Sequence, residues 1–181
     1  MRKATLAVLA AASALCAADA QAQLRGDTGL TITLGRHTAQ GGDIAYRDGF
    51  LLDVLAAARV RTMPRWSIIA AGGVSVVASN TTDVCVLRAE GRCAPFGNFG
   101  VINALAGAST SVGPFRARAL AGPALYNGAD DTSLGVQARV DFNAPVTRHV
   151  GLGAMMRATF LPSHGGARLF PWAVGGSITF R

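Results

Sequence analysis

Apolar and polar residues alternate along most of the chain with the two-residue period of a β-strand. The clearest example is SLGVQARVDF, residues 133–142. One face of this segment is apolar throughout and carries Leu134, Val136, Ala138, Val140 and Phe142. The opposite face is small or polar and carries Ser133, Gly135, Gln137, Arg139 and Asp141. The segment is therefore predicted to be a strand with two chemically different faces.

The same pattern predicts eight strands in an all-β protein. They cover residues 28–37, 49–60, 65–79, 99–111, 114–126, 133–142, 146–161 and 168–181. Residues 51–61 are rich in Ala and Leu and would also suit a helix. A strand fits them better, because Asp53 and Arg59 then share the face opposite the apolar residues. Pro123 predicts a bulge in the upper part of the fifth strand, because proline cannot donate to a ladder.

Connection lengths alternate along the chain. The connections after strands two, four and six are short and contain proline, at Pro64, Pro114 and Pro145. Those after strands one, three, five and seven are longer, at about residues 38–48, 80–98, 127–131 and 162–167. Short turns at one end and longer loops at the other are typical of outer-membrane barrels, with the turns in the periplasm. The sequence therefore predicts an eight-stranded antiparallel up-and-down transmembrane β-barrel.

The N-terminus has the pattern of a secretory signal peptide. Arg2 and Lys3 precede a short apolar stretch, and Ala20-Gln21-Ala22 satisfies the cleavage pattern of small residues. We expect residues 1–22 to be the signal peptide and residues 23–181 to form the barrel. Export and the strand pattern together predict the outer membrane of a Gram-negative envelope as the location.

The basic charge of the chain is spread out and does not form a cluster. Removal of Arg2, Lys3 and Asp19 with the signal peptide lowers the formal net charge from +7 to about +6. No basic run is present, so a nucleic-acid partner is not expected. Outer-membrane lipids and lipopolysaccharide phosphates are better partners for scattered arginines. The candidates for lipopolysaccharide contact are Arg36, Arg47, Arg88, Arg92 and Arg168.

The polar faces indicate which side of the barrel is the inside. They consist largely of Gly, Ser, Thr, Asn and Gln, with a few charges of both signs. Eight strands leave an interior just wide enough for side chains to fill, so a general porin is disfavoured. Buried charges must be paired, and we predict a lumen charge network formed by Asp53, Arg118, Arg139, Asp141 and Arg157.

The apolar faces then point to lipid. No predicted helix is available to cover them, and aromatic residues lie near the strand ends, where aromatic girdles occur. These aromatic residues are Trp66, Phe115, Phe142, Phe160, Phe170 and Trp172. The alternative is a soluble periplasmic barrel that carries an apolar ligand in its lumen and uses these aromatics to close its core.

Two cysteines remain after removal of the signal peptide, Cys85 and Cys93. Both lie in the longest loop, and an oxidising compartment favours a disulfide between them. A zinc site would need about four ligands, and no histidine lies near the pair. We therefore predict a disulfide and no metal.

The signal peptide, the eight amphipathic strands and the aromatic residue Phe180 near the C-terminus resemble the small OmpA/OmpX-like outer-membrane barrels. The resemblance covers Gly26 to Arg181. It implies an integral outer-membrane protein with a structural or surface-interaction role, contacts through its outer loops and a monomeric state.

Some small outer-membrane barrels modify lipid A with a histidine and a serine or aspartate at the rim, so this family resemblance also raises an enzymatic alternative. The candidate residues are His37, Asp43, Asp48, Ser163 and His164. Neighbouring positions in sequence do not bring side chains together, and exposed loop histidines are the simpler interpretation. We therefore expect no catalytic site. We also expect no cofactor, because none of the Gly-Gly pairs precedes a predicted helix.

Overall fold

The computed structural model describes residues 28–40, 48–79, 85–87, 93–95, 99–128, 132–164 and 167–181. The regular structure in these segments is entirely β. The ten strands are β1 Gly29–Gln40, β2 Asp48–Thr62, β3 Ser67–Ser79, β4 Cys85–Leu87, β5 Cys93–Pro95, β6 Phe99–Val112, β7 Phe115–Asn127, β8 Thr132–Pro145, β9 Val150–His164 and β10 Ala167–Phe180. Within the described segments, no helix has the length and apolar character needed to cross a membrane.

Eight of these strands form one closed antiparallel barrel. Each of the eight pairs with its two neighbours in the order β1, β2, β3, β6, β7, β8, β9, β10, and β10 pairs with β1 to close the ring. Closure leaves no strand edge within the barrel. The prediction of eight antiparallel barrel strands is confirmed, and the helical alternative for residues 51–61 is excluded, because these residues lie within β2.

The two ends of the barrel differ in the connections that they carry. Residues 63–66, 113–114 and 146–149 connect strands at the end that also holds Thr28 and Arg181. We call this the turn end and the opposite one the loop end. Gly113 has φ = 59°, a left-handed conformation that L side chains rarely adopt, and it makes the tight turn from β6 to β7 possible.

The connection between β3 and β6 contains more structure than the sequence predicts. Residues 80–98 were expected to form a loop, but β4 and β5 pair antiparallel within it as a separate two-stranded sheet. Strands of three residues are too short for their alternation to be recognised in the sequence.

The seventh barrel strand starts later than the sequence predicts. Residues 146–149 form a turn, and β9 begins at Val150. The Oγ1 of Thr147 accepts hydrogen bonds from the backbone N–H groups of His149 and Val150, at 3.2 and 3.0 Å. This local alternative to a ladder explains why a β-branched residue lies in a turn here.

The bulge predicted at Pro123 is absent. Pro123 lies opposite Val136 in an uninterrupted register between β7 and β8. On the other side, the ladder to β6 passes from the pair Asn103–Ala124 to the pair Ala106–Ala121 without a register shift. The missing N–H is thus accommodated by leaving out pairs and not by inserting a residue. The register shifts occur instead at Arg59/Arg61 in β2 and at Ala167/Leu169 in β10.

Candidate functional site

The centre of the lumen holds a bridging carboxylate. Asp53 of β2 is fully buried, and its Oδ2 lies 2.6 Å from the Nη1 of Arg139. Its Oδ1 lies 3.2 Å from the Nη1 of Arg157 and accepts a hydrogen bond from Ser75 at 2.7 Å. One aspartate therefore compensates two guanidinium groups from the opposite side of the barrel.

A second carboxylate continues the row toward the turn end. Asp141 accepts two hydrogen bonds from the Nε of Arg139, at 2.9 and 3.1 Å. Its Oδ2 also lies 3.7 Å from the Nε of Arg118. The structure thus joins all five charged residues proposed for the lumen. Their order is Arg157, Asp53, Arg139, Asp141 and Arg118, with alternating sign.

Neutral side chains extend this row to the turn end. Arg118 donates to the hydroxyl of Thr31 at 3.1 Å, and the Thr31 hydroxyl lies 3.0 Å from that of Thr179. Asn143 donates to Thr179 at 2.9 Å and accepts from Arg181 at 3.0 Å. A row of hydrogen bonds, joined by the ion pair between Arg118 and Asp141, therefore runs from the middle of the lumen to its mouth.

The strand register explains why the row needs residues from several strands. Arg139 of β8 lies directly opposite Arg157 of β9, and like charges in this position repel each other. Arg118 of β7 lies opposite Asp141, which is a favourable pair. Asp53 contacts both guanidinium groups and offsets their repulsion, although it is 86 residues from Arg139 in the chain.

The rest of the lumen is more apolar than the sequence suggested. One buried cluster lies toward the loop end and includes Leu51, Val77, Val101, Tyr126, Met155, Leu161 and Leu169. A second cluster lies on the wall formed by β2, β3, β6 and β7 and consists of Leu55, Ala57, Ile69, Leu105 and Leu120. The small polar residues and charge pairs that the sequence predicts for the interior therefore share it with two apolar clusters.

These layers close the lumen. At the turn end, among the described residues, a cavity of only about 10 Å³ remains between Arg116, Arg118, Asn143, Thr179 and Arg181. This volume accommodates about one water molecule. Apolar side chains from opposite walls meet on the loop-end side of the charged row, so the interior between the described residues is a packed core.

The structure places His37 inside the barrel. His37 lies in β1, is buried, and packs its ring edge-on against Phe99 with centroids 5.2 Å apart. Its Nε2 has no hydrogen-bond partner within the described part of the protein. The interpretation of His37 as an exposed loop histidine was wrong, because it occupies an inward-facing strand position.

The other candidate catalytic residues are less fully described. Asp43 lies outside the described residues. For Asp48, Ser163 and His164 the structure describes the backbone, at the ends of β2 and β9. Of the described residues, no three or more His, Cys, Asp or Glu side chains form a group that could hold a metal ion.

The backbone of the β4–β5 hairpin shows how far apart the two cysteines of the predicted disulfide lie. Cys85 pairs with Pro95, and Cys93 pairs with Leu87, so the two cysteines are diagonal neighbours. Such neighbours lie about 7–8 Å apart, beyond the usual 4.4–6.8 Å between Cα atoms of a disulfide. The Cys85–Cys93 disulfide stays a prediction, and forming it requires the backbone of the hairpin to move.

The outward face of the barrel is a continuous apolar surface. Large hydrophobic side chains are exposed on every barrel strand, among them Leu34, Leu52, Val76, Ile102, Leu125, Val136, Met156 and Val174. Exposed aromatic residues lie near both ends of this surface. Trp66, Phe115, Phe142 and Phe180 lie near the turn end, and Phe50, Phe160, Phe170 and Trp172 near the loop end.

Among the arginines proposed to contact lipopolysaccharide, two belong to the described residues. Arg36 of β1 is exposed between its register partners Phe50 and Val174, in the loop-end half of the apolar surface. Arg168 is exposed at the loop end of the neighbouring strand β10. Arg47, Arg88 and Arg92 lie outside the described residues.

Solved structures with a similar fold are outer-membrane proteins. Neisserial surface protein A (NspA) aligns with a TM-score of 0.56 and 14% identity, over 86% of this chain and 99% of that chain. Ail, the attachment invasion locus protein of Yersinia pestis, aligns with a TM-score of 0.50 and 12% identity, over 87% of this chain and 100% of that chain. No protein-family model and no curated protein sequence matches the chain. The chain thus has the fold of the small eight-stranded outer-membrane barrels.

Proposed function

We propose that this protein is an integral outer-membrane barrel that acts as a rigid platform for its outer loops. The observation that carries the proposal is the combination of an apolar outward face with an interior filled by buried side chains and ion pairs. A soluble barrel would place its polar face in water, whereas here the outward side chains match the hydrocarbon region of a bilayer. The similarity of the fold to NspA and Ail supports the same location.

Fractionation of cells that express the full chain tests this proposal. We expect the protein in the outer-membrane fraction after a carbonate wash, with a gel mobility that changes on boiling, because a closed barrel stays folded in cold detergent. Recovery in the wash supernatant would contradict the membrane location and favour the soluble periplasmic barrel with an apolar ligand.

The proposed role at the surface is interaction through the long loops. The connection between β3 and β6 is the longest one and carries the β4–β5 hairpin. The two similar structures are those of a surface protein and an attachment protein, which supports a surface-interaction role. A side-chain-filled lumen supports the same role, because contacts with other molecules must then be made outside the lumen.

Arg36 and Arg168 are proposed to bind lipopolysaccharide phosphates. Because each arginine near an anionic membrane surface contributes about 1 kcal/mol, replacing both by alanine should remove about 2 kcal/mol of the stabilisation that lipopolysaccharide adds. Urea unfolding in vesicles with and without lipopolysaccharide measures this difference. Arg148→Ala, at the turn end, is the control and should keep the full stabilisation. An unchanged lipopolysaccharide effect in the double variant would exclude this pair.

The proposed function excludes catalysis, and lipid A modification is the alternative with a direct test. Mass spectra of lipid A from cells with and without this protein should be identical. A new or missing acyl chain would overturn the proposal. Ser163 and His164 at the loop end of β9 would then be candidate catalytic residues.

A further inference from the structure

A polar cleft lies at the turn end of the barrel, outside the packed lumen. Its volume is about 520 Å³, and it lies between the β2–β3 turn and the β6–β7 hairpin. Small-molecule sites usually measure about 300–1,000 Å³. The cleft is therefore large enough for a ligand of the size of a disaccharide.

Three arginines line this cleft, Arg59, Arg65 and Arg116. Its described lining contains no Asp or Glu. Guanidinium groups bind carboxylate and phosphate oxygens through paired, charge-assisted hydrogen bonds. The charge of the cleft thus favours a ligand that carries oxyanions.

The remaining lining is rich in hydroxyl groups, from Thr62, Ser67, Ser109, Thr110 and Ser111. Hydroxyls both donate and accept hydrogen bonds, so they suit a ligand that carries many hydroxyls of its own. Trp66 borders the cleft and is 42% exposed, and its ring offers an apolar surface with a polar edge. Arginines, hydroxyls and an indole together match an acidic sugar.

The two walls of the cleft are tied together. The hydroxyl of Thr110 donates to the backbone oxygen of Arg65 at 2.8 Å, which joins the first turn to β6. Arg59 donates to Thr62 at 3.3 Å within the first hairpin. Because the walls are connected before any ligand arrives, less ordering accompanies binding.

We propose that this cleft binds an acidic saccharide, a sugar chain whose attached peptides carry carboxylate groups. The proposal rests on the proposed function, since the outer-membrane orientation places the turn end in the periplasm. The cell wall in that compartment is a polymer of this chemistry.

The position of the cleft favours a soluble saccharide over a phospholipid headgroup. Ser67 and Ser109 are buried at inward-facing strand positions, and Arg116 also lines the small cavity at the mouth of the lumen. These residues place the inner wall of the cleft toward the barrel axis. Arg61 pairs with Ile68 beyond the β2 register shift and lies on the outward face, where headgroups are located. Arg61 thus provides a control at the same end of the barrel.

A binding experiment with residues 23–181 folded in detergent tests the proposal. The ligands are soluble disaccharide–peptide fragments from cell wall digested with muramidase. Titration calorimetry measures the affinity, and heat-dependent gel mobility verifies that each variant is folded. We expect Arg65→Ala with Arg116→Ala to weaken binding at least about tenfold. The controls Arg61→Ala and Arg148→Ala should bind within about twofold of the natural protein. A neutral N-acetylglucosamine disaccharide should not bind.

Arg65 lies in an exposed turn, so Arg65→Ala alone keeps the test valid if the double variant does not fold. Absence of fragment binding by the folded natural protein would overturn the proposal and leave the membrane location intact. Equal losses in the Arg61 and Arg65 variants would also overturn it. Binding of phosphatidylglycerol vesicles with no binding of fragments would instead assign the cleft to lipid headgroups.

Discussion

Replacement of Arg139 by leucine is expected to lower the free energy of unfolding by about 3–5 kcal/mol, the range measured when one partner of a buried ion pair is removed. Arg139 bonds to both carboxylates of the lumen, at 2.6 Å to Asp53 and 2.9 Å to Asp141. Leucine fills a similar space but leaves both carboxylates short of a partner in a dry interior. Urea unfolding of the protein folded in vesicles measures the effect.

The adjacent outward-facing residue provides the matched control. Ala138 is exposed on the lipid side of β8, so Ala138→Val adds volume where lipid can yield. We expect its free energy of unfolding to stay close to that of the natural protein. A loss below about 1 kcal/mol for Arg139→Leu, typical of exposed ion pairs, would show that the lumen charges are solvated.

Replacement of Ala138 by arginine is expected to lower the free energy of unfolding in a bilayer by about 2–4 kcal/mol. Ala138 lies in the middle of β8, where it pairs with Ala121 and Ala158. An outward charge at this level must enter the hydrocarbon region. In a soluble barrel the same substitution would point into water and cost little.

An outward position near the end of the barrel provides the control for this substitution. Val112 is 63% exposed and lies at the turn end of β6, beside Gly113. Val112→Arg should cost only about 0–1 kcal/mol, because the side chain reaches the interface. Equal costs at the two positions would contradict a hydrocarbon layer around the barrel.

The sequence predicts the barrel strands well because the two faces differ strongly in polarity. In residues 133–142 every outward position is apolar and every inward one is small or polar, and the structure has the same alternation of exposed and buried residues. Connection lengths add the second signal, since short turns and long loops alternate. These two features determine topology without knowledge of any contact.

The apolar half of the lumen is harder to predict. Residues 50–52 read Phe-Leu-Leu, so inward Leu51 is flanked by outward residues of the same character. Alternation disappears in such a run. Barrel closure, which brings Leu51 into contact with distant residues of other strands, decides its environment, and no local pattern contains that information.

The partners within the charge row show the same limit. Opposite charges on polar faces indicate that pairing must occur, but not which residues pair. Asp53 and Arg139 come together only because β2 and β8 face each other across the closed barrel. Asp141 and Arg139, two residues apart on one strand, are the exception that the sequence does indicate.

Quenching of a single tryptophan by brominated lipid acyl chains tests the orientation of the two faces most directly. The probe is the variant Ala138→Trp in a chain whose own tryptophans are replaced, Trp66→Phe and Trp172→Phe. With the apolar face in lipid, fluorescence should be strongly quenched when the bromines lie deep in the acyl chains, and less when they lie near the headgroups. Fluorescence unaffected by bromine at any depth would contradict the membrane barrel.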